Sequence, residues 1–123
     1  MNNELLIATH NAGKVIELAE LLRSVPVRLL DLRAAGIESD VEETGATFVE
    51  NAELKAAAYA REAGMMAVAD DSGLAIDALG GAPGVLSARY AGPAADDAAR
   101  IRKVLAEMFG VPERDRTARF VCA

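Results

Sequence analysis

The stretch ELLIATHNAGKVIELAELLRSVPVRLLDL, residues 4–32, decides the fold class. Its first residues, Glu4 to Thr9, form a short apolar run that is β by length and position. A turn at His10-Asn11-Ala12-Gly13 follows. Lys14 to Ser24 then repeats with helical period: Val15, Leu18, Ala19 and Leu22 share one face, and Glu17, Glu20 and Arg23 lie off it. Pro26 predicts the end of that helix, and Val27 to Leu32 reads as a second strand. Two strands joined through a helix run parallel, because only a crossover of that length returns the chain in the same direction. The opening therefore specifies an α/β fold.

Working outward, Asp31 to Thr44 is a polar, acidic loop. Thr47 and Glu50 form a capping box that predicts a helix through the alanine-rich stretch to Ala63, with Gly64 just past its end. Met66 to Ala69 predicts a short buried strand. The turn Asp70-Asp71-Ser72-Gly73 follows, then extended chain from Gly73 to Ala78 and a loop over Gly80 to Gly84 containing Pro83. Asp96 or Asp97 caps a last helix through about Phe109, with Ile101, Val104, Leu105 and Met108 on one face; Gly110 and Pro112 stop it. Arg119 to Ala123 reads as the start of a strand. No internal repeat, low-complexity linker or domain boundary interrupts residues 1–123, which are expected to form a single domain.

The chain has 123 residues, 13 basic and 19 acidic, for a formal net charge of −6. A chain of this size buries roughly two-thirds of its unfolded surface, enough for one core. Its 52% hydrophobic content is too high for disorder at so modest a charge. No apolar run approaches the ~20 residues that span a bilayer. Met1-Asn2-Asn3-Glu4 lacks the basic start of a signal peptide, so a cytoplasmic location is expected. One cysteine, Cys122, excludes an internal disulfide framework and a cysteine-built zinc site. The acidic balance argues against nucleic-acid or membrane partners, which need basic patches.

Four constellations can carry chemistry. In Thr9-His10-Asn11-Ala12-Gly13-Lys14, a strand leads into a helix whose N-terminal N–H groups and dipole suit a phosphate. Thr9 and Asn11 add donors, Gly13 close approach and Lys14 charge; an ordinary turn is the plainer alternative, and the Walker spacing is absent. Asn51 and Lys55 share a helix face at i, i+4, beside Ala52, Ala56 and Tyr59; a solvated lysine is the plainer alternative. Asp70 and Asp71 are paired carboxylates at a strand end, tolerated best where a hard cation such as Mg²⁺ sits between them or where one faces water; a polar turn with an Asx hydrogen bond is the plainer alternative. Ser72 and Gly73 add backbone donors. Glu42 and Glu43 are either a solvated acidic loop or further metal ligands. Together these elements suit metal-assisted hydrolysis of a phosphoanhydride, in which a carboxylate orients or deprotonates water.

At these residues the sequence resembles the inosine triphosphate pyrophosphatase family, the Ham1-like hydrolases of non-canonical purine nucleoside triphosphates. The matching segments are LLIATHNAGK (5–14), EETGATFVENAELKA (42–56), AVADDSGLAIDALGGAPGVLSARYAG (67–92) and VPERDRTARFVC (111–122). The resemblance implies a mixed central sheet flanked by helices, Mg²⁺ dependence, a homodimer, and hydrolysis of ITP, dITP and XTP to the monophosphate and pyrophosphate. It implies that Thr9, Asn11 and Lys14 bind triphosphate, with His10 beside them, and that Lys55 reaches it from the second helix. Glu43 and Asp71 would be metal-associated, with Glu42 the weaker candidate. Asp71 would activate water with Asp70 beside it, and Ser72 and Gly73 would line the nucleotide site.

The sequence departs from the family in two ways. Arg100 or a neighbouring alanine stands where the family often has Asn. The family also continues with an FGYDP-like segment that stacks on the base and an SHR-like segment that reads its 6-oxo group; neither occurs here. The chain therefore reads as the C-terminally truncated, N-terminal portion of such an enzyme, and the competing expectation is a non-catalytic nucleotide-phosphate-binding fragment. Maf-like nucleotide pyrophosphatases are a third reading, which the ENAELKA and ADDSGL segments fit less well.

Overall fold

The computed structural model describes residues 3–123; Met1 and Asn2, part of the opening stretch read above for a leader, lie outside them. The described chain falls into two compact units, the first ending at Asp70 and the second beginning at Asp71.

The first unit contains β1 (Glu4–Ile7), α1 (Ala12–Leu21), β2 (Arg28–Asp31), α2 (Phe48–Ala63) and β3 (Met66–Val68). The strands form a parallel sheet in the order β2-β1-β3, with Leu6 opposite Leu30 on one side and Ala67 on the other. This is the βαβ logic of residues 4–32 realised. The central strand carries the core: Leu6, Ile7 and Ala8 are buried, and Leu6 and Ala8 cluster with Leu32, Ile37 and Tyr59. Burying Leu6 and Leu32 contributes about 1.5–3 kcal/mol each.

Helix α1 turns Val15, Leu18 and Ala19 inward as half-buried residues, as its period predicts. It stops at Leu21, five residues before Pro26. Turns bonded Leu22 to Leu18, Arg23 to Glu20 and Val25 to Leu22 carry the chain from there to Pro26, whose ring keeps Val25 out of the α region. Helix α2 has the expected bounds. Thr47 Oγ1 accepts from the Glu50 N–H at 3.2 Å, and Gly64 closes the helix with φ 65°. Glu50 reaches back to the Ala46 N–H, one residue earlier than an ideal capping box. Strand β3, at the edge of its sheet, is half-buried rather than buried, and Met66 is 61% exposed.

The second unit pairs β4 (Ser72–Ile76) with β5 (Ala118–Cys122) in antiparallel register, Leu74 opposite Phe120. Between them lie 3-10 turns at Asp77–Leu79 and Gly84–Arg89, the helix α3 (Asp97–Glu107) and a last 3-10 turn at Glu113–Asp115. Asp96 caps α3 by accepting from the Ala99 N–H at 2.9 Å. Arg116 donates to the carbonyls of Met108 and Val111 beyond its end. Arg100 donates to the carbonyls of Ala88 and Ala95, tying α3 to the preceding loop. The predicted apolar face of α3 is present but unevenly covered: Met108 is buried, yet Ile101 and Leu105 are 58% and 54% exposed. Its period is right, but these polar pins hold the helix without a core on that side. Among the described residues, no helix is long and apolar enough to cross a membrane.

Candidate phosphate and metal site

Parallel strands deliver their carboxyl ends to one edge of a sheet, and the loops there are where α/β folds place ligands. In the first unit β1 and β3 end side by side, Ile7 opposite Val68, with the Ala8 N–H bonded to the Val68 carbonyl at 2.8 Å. Thr9 to Lys14 follow the first strand and Asp70 the second. Lys14 Nζ and Asp70 Oδ2 form an ion pair at 3.1 Å, with only about a quarter and a seventh of each side chain exposed. Two residues far apart in sequence are thus joined at the sheet end.

The loop is internally braced. Asn11 caps α1, its Oδ1 accepting from the N–H groups of Gly13 (2.9 Å) and Lys14 (3.2 Å). The Thr9 hydroxyl oxygen accepts from the Asn11 N–H at 3.1 Å. Asn11 therefore uses its oxygen on the helix start, and its amide N–H₂ is the part suited to an anion. Thr9 is buried and keeps its hydroxyl hydrogen as a donor.

The acidic loop is fastened along one face of α2. Lys55 Nζ pairs with Glu43 Oε1 at 3.1 Å. Asn51 is fully buried and its Oδ1 accepts from the Gly45 N–H at 2.7 Å. The Tyr59 hydroxyl donates to the Ser39 carbonyl at 2.9 Å, and the Ser39 hydroxyl to Glu62 at 2.7 Å. The loop thus descends the helix, with residues 46, 45, 43 and 39 meeting side chains at 50, 51, 55 and 59. The i, i+4 spacing of Asn51, Lys55 and Tyr59 was visible in the sequence; their common task was not, because nothing local marks the loop that they hold. Glu42 is exposed. Gly45 fits because a Cβ there would lie 2.6 Å from Asn51 Oδ1.

Burial, and then the Asp40 carboxylate, push the Tyr59 phenol above its usual value, so it stays protonated as a donor at neutral pH. His10, expected beside the substrate, bonds through Nε2 to the Ser39 carbonyl at 2.8 Å and meets the Tyr59 ring edge-on at 5.9 Å.

Asp71, Ser72 and Gly73 open the second unit. Asp71 is 5% exposed, and its backbone exchanges two 2.9 Å hydrogen bonds with Ala123. Gly73 is packed so that a Cβ would fall 2.4 Å from the Gly84 carbonyl. Ser87 Oγ fixes this turn, accepting from the Leu74 N–H at 3.0 Å and donating to the Gly84 carbonyl at 2.6 Å.

Within the first unit, Glu43 and Asp70 offer carboxylate oxygen, the donor type Mg²⁺ prefers, and Asp71 offers the same in the second. Among the described residues no group of three or more His, Cys, Asp or Glu could hold a metal by itself. Carboxylates in ones and twos fit Mg²⁺ held together with phosphate oxygens, which is how that ion is commonly bound.

A capped helix start, a lysine and a carboxylate thus meet at the carboxyl ends of parallel strands, where α/β folds commonly bind ligands. The chain belongs to the Ham1 family, whose model matches residues 5–123. It is 53% identical over 120 residues to a dITP/XTP pyrophosphatase of Bacillus subtilis (strain 168), covering 98% of this chain and 61% of the relative. It is 57% identical over 123 residues to a dITP/XTP pyrophosphatase of Geobacillus kaustophilus (strain HTA426), covering 98% and 59%. The structure of a HAM1 protein from Coxiella burnetii superposes with a TM-score of 0.87 at 47% identity, over 99% of this chain and 61% of that one. The chain spans about three-fifths of the length of the curated relatives it matches.

Proposed function

We propose that this chain carries the phosphate and metal chemistry of a pyrophosphatase acting on non-canonical purine nucleoside triphosphates: ITP, dITP and XTP. The observation that carries the reading is the name dITP/XTP pyrophosphatase on relatives about half identical across nearly all of this chain. The site is consistent with it. Lys14 and Lys55 are cations held ready by Asp70 and Glu43, and a triphosphate can take over either pairing. Thr9 O–H and the Asn11 amide donate to phosphate oxygen.

Glu43 and Asp71 would hold Mg²⁺, which when bound neutralises phosphate charge. Asp71, nearly buried, accepts the proton of the attacking water, with Asp70 next to it in sequence. The bond broken joins the α and β phosphates; the oxygen between them leaves with pyrophosphate, and the nucleoside monophosphate gains the water oxygen. The same reading takes the working protein to be a cytoplasmic homodimer with no nucleic-acid or membrane partner.

The test is pyrophosphate release from ITP, XTP and ATP by the purified protein, with and without Mg²⁺. Release from ITP and XTP in preference to ATP, and only with Mg²⁺, is the expected result. No release from ITP or XTP sinks the hydrolase reading. A Mg²⁺-dependent thermal shift with triphosphate, without product, would leave a binding site alone.

A further inference from the structure

His10 stands between two loop residues assigned to phosphate, yet its side chain is committed elsewhere. Its Nε2 lies 2.8 Å from the Ser39 carbonyl oxygen, an acceptor only, so that nitrogen carries the hydrogen. The same carbonyl takes the Tyr59 hydroxyl at 2.9 Å, which uses both of its lone pairs. The imidazole packs edge-on against the Tyr59 ring, and Nε2 is 3.8 Å from the exposed Asp40 carboxylate. In the neutral tautomer that makes this bond, Nδ1 has no hydrogen to give a phosphate oxygen.

We propose that His10 is a positioning residue that couples the phosphate loop, residues 9–14, to the acidic loop that carries Glu43, with the Ser39 carbonyl as the shared anchor. The proposal rests on the functional reading above, in which Thr9, Asn11 and Lys14 hold phosphate and Glu43 metal. The coupling spans 29 residues of sequence. On one side, His10 is flanked by Thr9 and Asn11, whose oxygens brace the start of α1. On the other, Ser39 precedes Glu43 by four residues and is fastened to α2 through Tyr59 and Glu62. Without the histidine bond, each loop keeps its own local bonds and loses its reference to the other.

Amide hydrogen exchange and steady-state kinetics of the purified protein test this. His10→Leu keeps the bulk and removes the donor. Exchange in 9–14 and 37–45 is expected to speed up together by up to about tenfold, the weight of one hydrogen bond. KM for ITP with Mg²⁺ rises by a similar factor while kcat stays within about twofold, because ground-state and transition-state phosphate contacts loosen alike. His10→Gln, whose amide nitrogen reaches the Nε2 position, restores both readouts. Tyr59→Phe leaves the histidine bond in place, so the loosening it causes in 37–45 passes through Ser39 to 9–14. Unchanged exchange of 37–45 in His10→Leu, or a His10→Gln protein as impaired as His10→Leu, overturns the proposal. Should His10→Leu fail to fold, Tyr59→Phe decides: a 9–14 loop that stays fully protected while 37–45 loosens overturns it. Exchange needs no turnover, so a protein inert toward every triphosphate would fail the functional reading and still test the coupling.

Discussion

Helix α2 buries Asn51 and Lys55 beside Ala52 and Tyr59, while α3 leaves Ile101 and Leu105 more than half exposed. Both begin with a well-made cap, at Thr47 and at Asp96. By hydrophobic pattern alone α3 is the better core helix. What separates them is the supply of partners. The polar groups on α2 each meet a group from the acidic loop, which offsets the cost of burying them. The apolar groups on α3 meet no comparable surface in their own unit, where Arg100 and Arg116 fasten the helix through backbone carbonyls. Burial thus follows what the neighbouring chain presents as much as the residue's own polarity.

Five substitutions break or sharpen that contrast. Asp71→Asn carries the largest expected effect: it keeps the shape of another buried polar residue and removes its basicity. Turnover of ITP should fall by about a thousandfold, within the range for loss of a general base. Circular dichroism should show a folded protein; wild-type turnover would remove Asp71 from the mechanism. Asn51→Leu comes next. It makes the α2 face more apolar and leaves the Gly45 N–H without its acceptor, so urea unfolding should show a loss of about 2–3 kcal/mol. Equal or greater stability would mean that the loop does not depend on this bond.

Gly45→Ala approaches the same contact from the loop side. The added methyl would meet Asn51 Oδ1 at 2.6 Å and Glu50 Cβ at 2.7 Å, and the expected cost is about 1–2 kcal/mol. The smallest effect belongs to α3. Ile101→Ser and Leu105→Ser should each change stability by less than about 0.5 kcal/mol, as exposed positions do. A loss of several times that, read in the same urea titration, would show that the stripe is covered in solution.

The same contrast explains what was legible beforehand. The βαβ opening could be read because each signal is local: an apolar run, a helical period, a proline. The ends of α2 were legible at Thr47 and Gly64 for the same reason. The strand at 118–122 was visible as a strand, but not as the antiparallel partner of Ser72–Ile76, since pairing across more than forty residues leaves no mark in either segment. Among site residues, Lys14 and Asp70 were each suspected, and their ion pair emerges only when β1 and β3 lie side by side. Asn51 was noticed for its spacing to Lys55 and not for its hold on Gly45, which needs the fold of the loop.

From Glu43 to Ala46 the acidic loop takes anchors from successive turns of a single helix. A rigid rod that carries these attachment points transports that stretch when it moves. Any tilt or slide of α2 would then carry Lys55 and Glu43 together, and the spacing of that charge pair would survive motions that change its place in the molecule. Cargo strapped to a beam travels with the beam; a loop hung between two elements would instead be stretched whenever they part.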